Sequence, residues 1–124
     1  MTAEDKLPKK KPTKPLSPVK IAFMQEITRR YKTNVVTEYK FHPKRKWSID
    51  FYLPDYGLAI ELEGGIFTQG RHTRGSGFLG DIEKYNEITA SGLSLIRVTY
   101  STLNKNATFD LIGRCIEVLK PKPF

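Results

Sequence analysis

Two short links rich in turn-forming residues, His42-Pro43-Lys44-Arg45 and Pro54-Asp55-Tyr56-Gly57, divide the middle of this chain into three stretches with strand character. The stretches run from Val35 to Phe41, from Lys46 to Leu53 and from Leu58 to Glu63. Links this short join antiparallel neighbours, because a parallel return needs a crossover of about a dozen residues or more. The spacing therefore predicts a three-stranded meander.

That meander decides where the carboxylates fall, because strand side chains alternate. Val36, Glu38 and Lys40 share a side of the first strand. Ser48, Asp50 and Tyr52 share a side of the second, with Trp47, Ile49 and Phe51 opposite. Ala59, Glu61 and Glu63 share a side of the third, with Leu58, Ile60 and Leu62 opposite. Pairing the apolar sides places Glu38, Asp50, Glu61 and Glu63 on one face. Cross-strand neighbours lie about 5 Å apart, and carboxylates that close repel unless a cation or protons intervene. Hard divalent cations such as Mg²⁺ take oxygen ligands, commonly one or two carboxylates plus substrate phosphates. In a basic chain that combination points to phosphodiester hydrolysis. The plainer reading of the same residues is a solvated face whose carboxylates pair with Lys40, Arg45 or Lys46.

The chain is basic throughout. Its net charge is +8, and residues 1–20 contribute +4 of that through six lysines set against Glu4 and Asp5. Residues 1–17 are Lys/Pro-rich and read as a disordered basic tail, with one folded domain over 18–120. A basic body with a basic tail suits a polyanion. With 39% hydrophobic and 11% aromatic residues the body can bury a modest core. The single cysteine, Cys115, excludes an intramolecular disulfide and a cysteine-based zinc site, and reads as a small core residue. No membrane-spanning run or secretory signal is visible, so a cytoplasmic protein is expected.

Ser17-Pro18 has the form of a helix cap followed by proline at the first helical position, and Ile21, Met24, Ile27 and Tyr31 keep the helical period to about Lys32. A glycine-rich loop follows the third strand from Gly64 to Phe78. A second helix is expected over about Leu79–Ala90, ending at Gly92. A fourth strand is expected over Leu93–Thr99, buried by its nearly continuous apolar run. A last helix is expected over Ala107–Leu119, capped by Asn106. The order αβββαβα defines an α/β (α+β) domain, a mixed four-stranded sheet flanked by helices.

This order, with Asp50-Phe51 on one strand and Glu61-Leu62-Glu63-Gly64 on the next, resembles the PD-(D/E)XK nucleases, which share a restriction-endonuclease-like core. The small branch that includes very-short-patch-repair-type endonucleases, of phage and bacterial type, is the most similar. In that branch the pattern continues with a His, an Asp on a helix and Gly-x-x-x-(Ile/Leu)-Arg; here these read His72, Asp81 and Gly92-Leu93-Ser94-Leu95-Ile96-Arg97. The likeness covers about Glu38 to Arg97. It implies a metal-dependent DNA endonuclease with Mg²⁺ (or Mn²⁺) as cofactor and no small-molecule cofactor. Asp50 and Glu61 match the metal-binding carboxylates, the Leu62 carbonyl a further oxygen ligand, and Glu38 the upstream acid. Position 63 departs from the motif, which expects lysine there and finds Glu63. Some restriction enzymes of the superfamily carry the same departure. It removes the usual cation beside the attacking water.

Lys84 is a candidate replacement, because Asp81, Lys84 and Tyr85 share one helix face; the alternative is a solvated Lys84 paired with Asp81 or Glu87. The loop offers Arg71 and Arg74 as phosphate clamps, and His72 as general base or acid. Gly64-Gly65 lets backbone approach a phosphate. Lys40, His42, Lys44, Arg45 and Lys46 form a basic strip at the first turn for contact with the DNA backbone. Trp47 is expected in the core. Arg97 is expected either to pair with a sheet carboxylate or to reach phosphate. Glu63, Lys84 or His72 would orient or deprotonate the attacking water. A homodimer fits double-strand cleavage, since one such centre cuts one strand. Two other readings stay open: a non-catalytic nucleic-acid-binding module, and a nuclease specific for junctions or mismatches.

Overall fold

Ser17 starts the first helix as its pattern predicts: its Oγ accepts the Lys20 N–H at 3.3 Å, with Pro18 following at the first position. The computed structural model describes residues 15–63 and 76–120, except the side chains of 76–78. In chain order the elements are α1 (Pro18–Tyr31), β1 (Val36–Lys40), β2 (Ser48–Leu53), β3 (Leu58–Leu62), α2 (Ser76–Ala90), β4 (Ser94–Val98) and α3 (Asn106–Leu119). The expected basic tail falls largely, and the expected glycine-rich loop mostly, outside the described residues.

The sheet runs β1-β2-β3-β4, antiparallel across the first two pairings and parallel between β3 and β4. The mixed α+β architecture is therefore the one the sequence predicts. Helix α2 stops on Gly92, whose φ of 82° suits glycine, with Gly92 N–H donating to the Thr89 carbonyl at 2.9 Å and Leu93 N–H to Ile88 at 3.2 Å.

Two apolar clusters sandwich the sheet. On one side α1 and α3 bring Phe23, Ile27, Phe109, Ile112 and Ile116 against Phe51, Leu53, Leu58, Ile60, Ile96 and Val98. Phe23 meets the Phe51 ring edge-on at 4.9 Å; full burial of each such side chain contributes about 2–3 kcal/mol. On the other side Ile88 of α2 packs on Tyr52, Ala59 and Ile49.

Ile49 corrects the expected alternation, which put it beside Phe51. The β1–β2 register holds from Val36↔Tyr52 and Thr37↔Phe51 to Tyr39↔Ile49 and Lys40↔Ser48, but the rung between Glu38 and Asp50 is missing. Glu38 sits at φ 48°, in the left-handed region, which costs a non-glycine residue about 1–2 kcal/mol. A left-handed residue interrupts the two-residue alternation. Beyond it Tyr39 and Ile49 join the α2 side, and Tyr39 stacks on Tyr52 at 4.2 Å.

Three more expectations change. Trp47 precedes β2 and lies outside both core clusters, held between the Phe41 ring at 6.3 Å and the Arg45 guanidinium at 3.9 Å. Strand β4 is an edge of the sheet, not a buried strand, and the Arg97 side chain is 53% exposed. Asn106 does not cap α3: it is the first helical residue, and its Oδ1 is drawn instead to Arg30 of α1 at 2.8 Å.

Gly113 lets α1 and α3 approach closely. A Cβ there would lie 2.4 Å from the Tyr31 hydroxyl oxygen, which is itself tied to the Phe109 carbonyl at 2.6 Å. Gly113→Ala should therefore lower stability by about 1–2 kcal/mol in urea melts, although alanine is the better helix former. A stabilised variant would contradict this packing.

Candidate active site

Strands β2 and β3 pair regularly through Leu53↔Leu58, Tyr52↔Ala59 and Phe51↔Ile60. At the next rung side chains replace the ladder. The Asp50 N–H donates to Glu61 Oε2 at 2.9 Å, and the Leu62 N–H donates to Asp50 Oδ2 at 2.8 Å. Strand β3 continues beside β4 through Glu61↔Arg97 and Leu62↔Val98, and Glu63 N–H reaches the Val98 carbonyl at 2.6 Å. The sheet thus forks, and each acid accepts a main-chain N–H from the opposite prong. Hydrogen bonds to a charged group contribute about 1.5–3 kcal/mol each.

Glu61 is only 5% exposed. Burial pushes its carboxyl up to about 7, against the pull of the Lys84 ammonium and the Asp50 N–H, and the nearby Asp50 charge adds to the rise. Lys84 of α2 donates directly to Glu61 Oε1. Its ammonium therefore reaches the acid pair from a different element than the motif lysine would.

Glu63 is held differently. Its Oε1 accepts the Tyr85 hydroxyl and, at 2.9 Å, the Arg97 Nε–H, while the Arg97 guanidinium lies 4.6 Å from the centre of the Tyr85 ring. Burial, then the hydrogen bond to Glu63, keeps the Tyr85 hydroxyl protonated far above its ordinary range. The Arg97 alternative is thereby decided for the sheet carboxylate. Tyr85 as its partner was not read from the sequence; its position beside Lys84 on the same helix face was the available signal.

The gathering of four carboxylates is corrected. Glu38 is exposed, at the kink, and Glu63 is engaged by Tyr85 and Arg97. Among the described residues no three His, Cys, Asp or Glu side chains come together closely enough to hold a metal ion. What remains is the pair Asp50 and Glu61. Asp81 is exposed on α2.

In the basic strip, Lys40 Nζ donates to the Lys46 carbonyl at 2.9 Å. His42 Nδ1 accepts the N–H groups of Lys44 and Arg45 at 3.1 and 3.0 Å, and its Nε2 lies 3.0 Å from Glu87 of α2. Arg45 pairs with Glu83 of α2. His42 and Arg45 thus tie the hairpin to α2, while Lys40, Lys44 and Lys46 are exposed. Arg71, His72 and Arg74 lie outside the described residues. Among the described residues no helix is long and apolar enough to cross a membrane.

No protein-family model and no curated protein matches this sequence. Among solved structures, the catalytic domain of the homing endonuclease I-Bth0305I is similar, with a TM-score of 0.59 and 20% identity over 82% of this chain and 97% of that one. The likeness establishes the fold, which among the described residues comprises three helices and a mixed four-stranded sheet.

Glu61 has a consequence for stability. Its carboxyl moves from an ordinary 4.5 to about 7 on folding, so its contribution is full below pH 4.5 and is lost as pH rises through 7. In EDTA-containing buffer, Glu61→Gln should gain on the wild type by about 2 kcal/mol between pH 5 and pH 8. Urea melts at both pH values check this, and a difference independent of pH would contradict it.

Proposed function

We propose that this protein is a divalent-metal-dependent DNA endonuclease whose centre is the Asp50–Glu61 fork. The observation that carries the reading is the lashing of two acids across the fork, with the Lys84 ammonium delivered to Glu61 from α2. The resemblance of the Asp50, Glu61 and Gly92–Arg97 pattern to PD-(D/E)XK nucleases supports it, as does the fold shared with a homing endonuclease catalytic domain.

The donor chemistry suits Mg²⁺ or Mn²⁺. Two neighbouring carboxylates are the usual protein share of a Mg²⁺ site, and Glu61 is buried with one side-chain cation, Lys84, against it among the described residues. Asp50 and Glu61 would hold the ion, with the Leu62 carbonyl as a further oxygen. When bound, it supplies Lewis-acid charge beside the phosphate and lowers the pKa of water. The fork would keep both acids beside the ion, and Lys84 would balance charge there and donate toward the phosphate or the attacking water. Arg71, Arg74 and exposed Lys40, Lys44 and Lys46 serve as phosphate contacts, and His72 as the proton-transfer candidate.

A second reading has one observation in its favour: both acids already have hydrogen-bond partners within the protein. It is a nucleic-acid-binding module that uses the pair structurally. Incubation of supercoiled plasmid, linear duplex and branched DNA with Mg²⁺, Mn²⁺ or EDTA separates the two. Cleavage should require metal and fall by about a hundredfold or more in Asp50→Ala, while salt-sensitive DNA binding persists. Metal-dependent cleavage retained in Asp50→Ala would sink the proposal, and binding without any cleavage would favour the module.

A further inference from the structure

We infer that Glu63 is a positioning residue: with Tyr85 and Arg97 it seats α2 on the sheet so that Lys84 stays on Glu61. The inference rests on the site proposed above and assigns Tyr85 and Arg97 to it.

Lys84 and Tyr85 are consecutive on α2, about 100° apart around the helix. Glu61 on β3 and Glu63, one residue past its end, are two residues apart in the chain, about 7 Å along its extended course. The two helix residues meet the two strand acids as adjacent rungs, Lys84 on Glu61 and Tyr85 on Glu63. Lysine has a long flexible stem, and holding it at one carboxylate requires its backbone to be fixed. Among the described residues, helix α2 has little fully buried apolar side chain with which to fix it. Of its described side chains Ile88 alone is fully buried, while Leu79 and Ile82 are 63% and 41% exposed. Its ties to the hairpin, Glu83–Arg45 and Glu87–His42, use acids 53% and 43% exposed, and such rim pairs hold weakly. The Glu63 side chain is 17% exposed. Its contact with Tyr85 is the inner one, and Arg97 braces the same oxygen from β4. Both donors converge on that oxygen, so what Glu63 supplies to α2 is an acceptor, and glutamine offers the same acceptor without a carboxylate's charge.

The test compares Glu63→Gln, Glu63→Ala and Tyr85→Phe, each confirmed folded by circular dichroism. Plasmid-cleavage kcat and KM are measured in Mg²⁺, and amide hydrogen exchange over residues 84–88 is measured without metal or DNA. Glu63→Gln should retain cleavage within about threefold, whereas Glu63→Ala and Tyr85→Phe should lose about tenfold or more in kcat with KM nearly unchanged. The same two variants should exchange faster across α2, and Glu63→Gln should not. Loss of cleavage in Glu63→Gln as deep as in Asp50→Ala would make Glu63 a reacting group and overturn the inference. Wild-type kcat and exchange in Tyr85→Phe would overturn it as well. A wild-type protein that cleaves nothing would remove the proposed function, and the exchange pattern would still decide for or against the seating.

Discussion

Two hydrogen bonds that exchange main-chain N–H groups for carboxylates hold the β2–β3 fork, and the rest of the site depends on them. A regular rung between Asp50 and Glu61 would pair their backbones. Instead the Asp50 N–H and the Leu62 N–H each meet an acid of the opposite strand. The strands separate there without leaving those amides unpaired, which satisfies the demand on every buried polar group. The separation leaves the two acids on neighbouring strands just past the last rung of the β2–β3 ladder, which is regular from Leu53↔Leu58 to Phe51↔Ile60. Because each lashing needs an acceptor oxygen, a substitution that removes it at either acid, such as alanine, leaves a main-chain N–H without its partner.

Burial then sets the electrostatics. Glu61 is kept from water by the fork and by α2, and its raised proton affinity records that confinement. Lys84 offsets it only in part. A buried acid of this kind is a poor device for stability and a favourable one for a cation, since charge delivered there is screened weakly. Helix α2 carries the Lys84 ammonium that meets this acid.

Much of the fold was legible in the sequence because its signals were local. The Ser17-Pro18 start, the glycine stop at Gly92 and the short links at 42–45 and 54–57 act within a few residues, and each element they bound is present. The Asp50 and Glu61 adjacency was legible for the same reason, as a consequence of one hairpin register. The exceptions depended on distant partners. Nothing near Glu38 announces its left-handed backbone or the missing rung to Asp50, so strict alternation placed Ile49 on the wrong side and Glu38 among the other acids. The Asn106 side chain was drawn away from its helix end by Arg30, seventy-six residues earlier. Glu63, read as an unusual residue at a reactive position, is met by Tyr85 and Arg97 from two other elements. Such pairings follow from packing, which no local pattern encodes.

The Asp50–Glu61 pair, as proposed, would hold a divalent cation. Calorimetric titration of the DNA-free protein with Mn²⁺, wild type beside Asp50→Ala, tests it most directly. Saturable binding is expected in the wild type and is lost in the variant, while circular dichroism shows both folded. Saturable binding that survives Asp50→Ala, or none in the wild type, would contradict it.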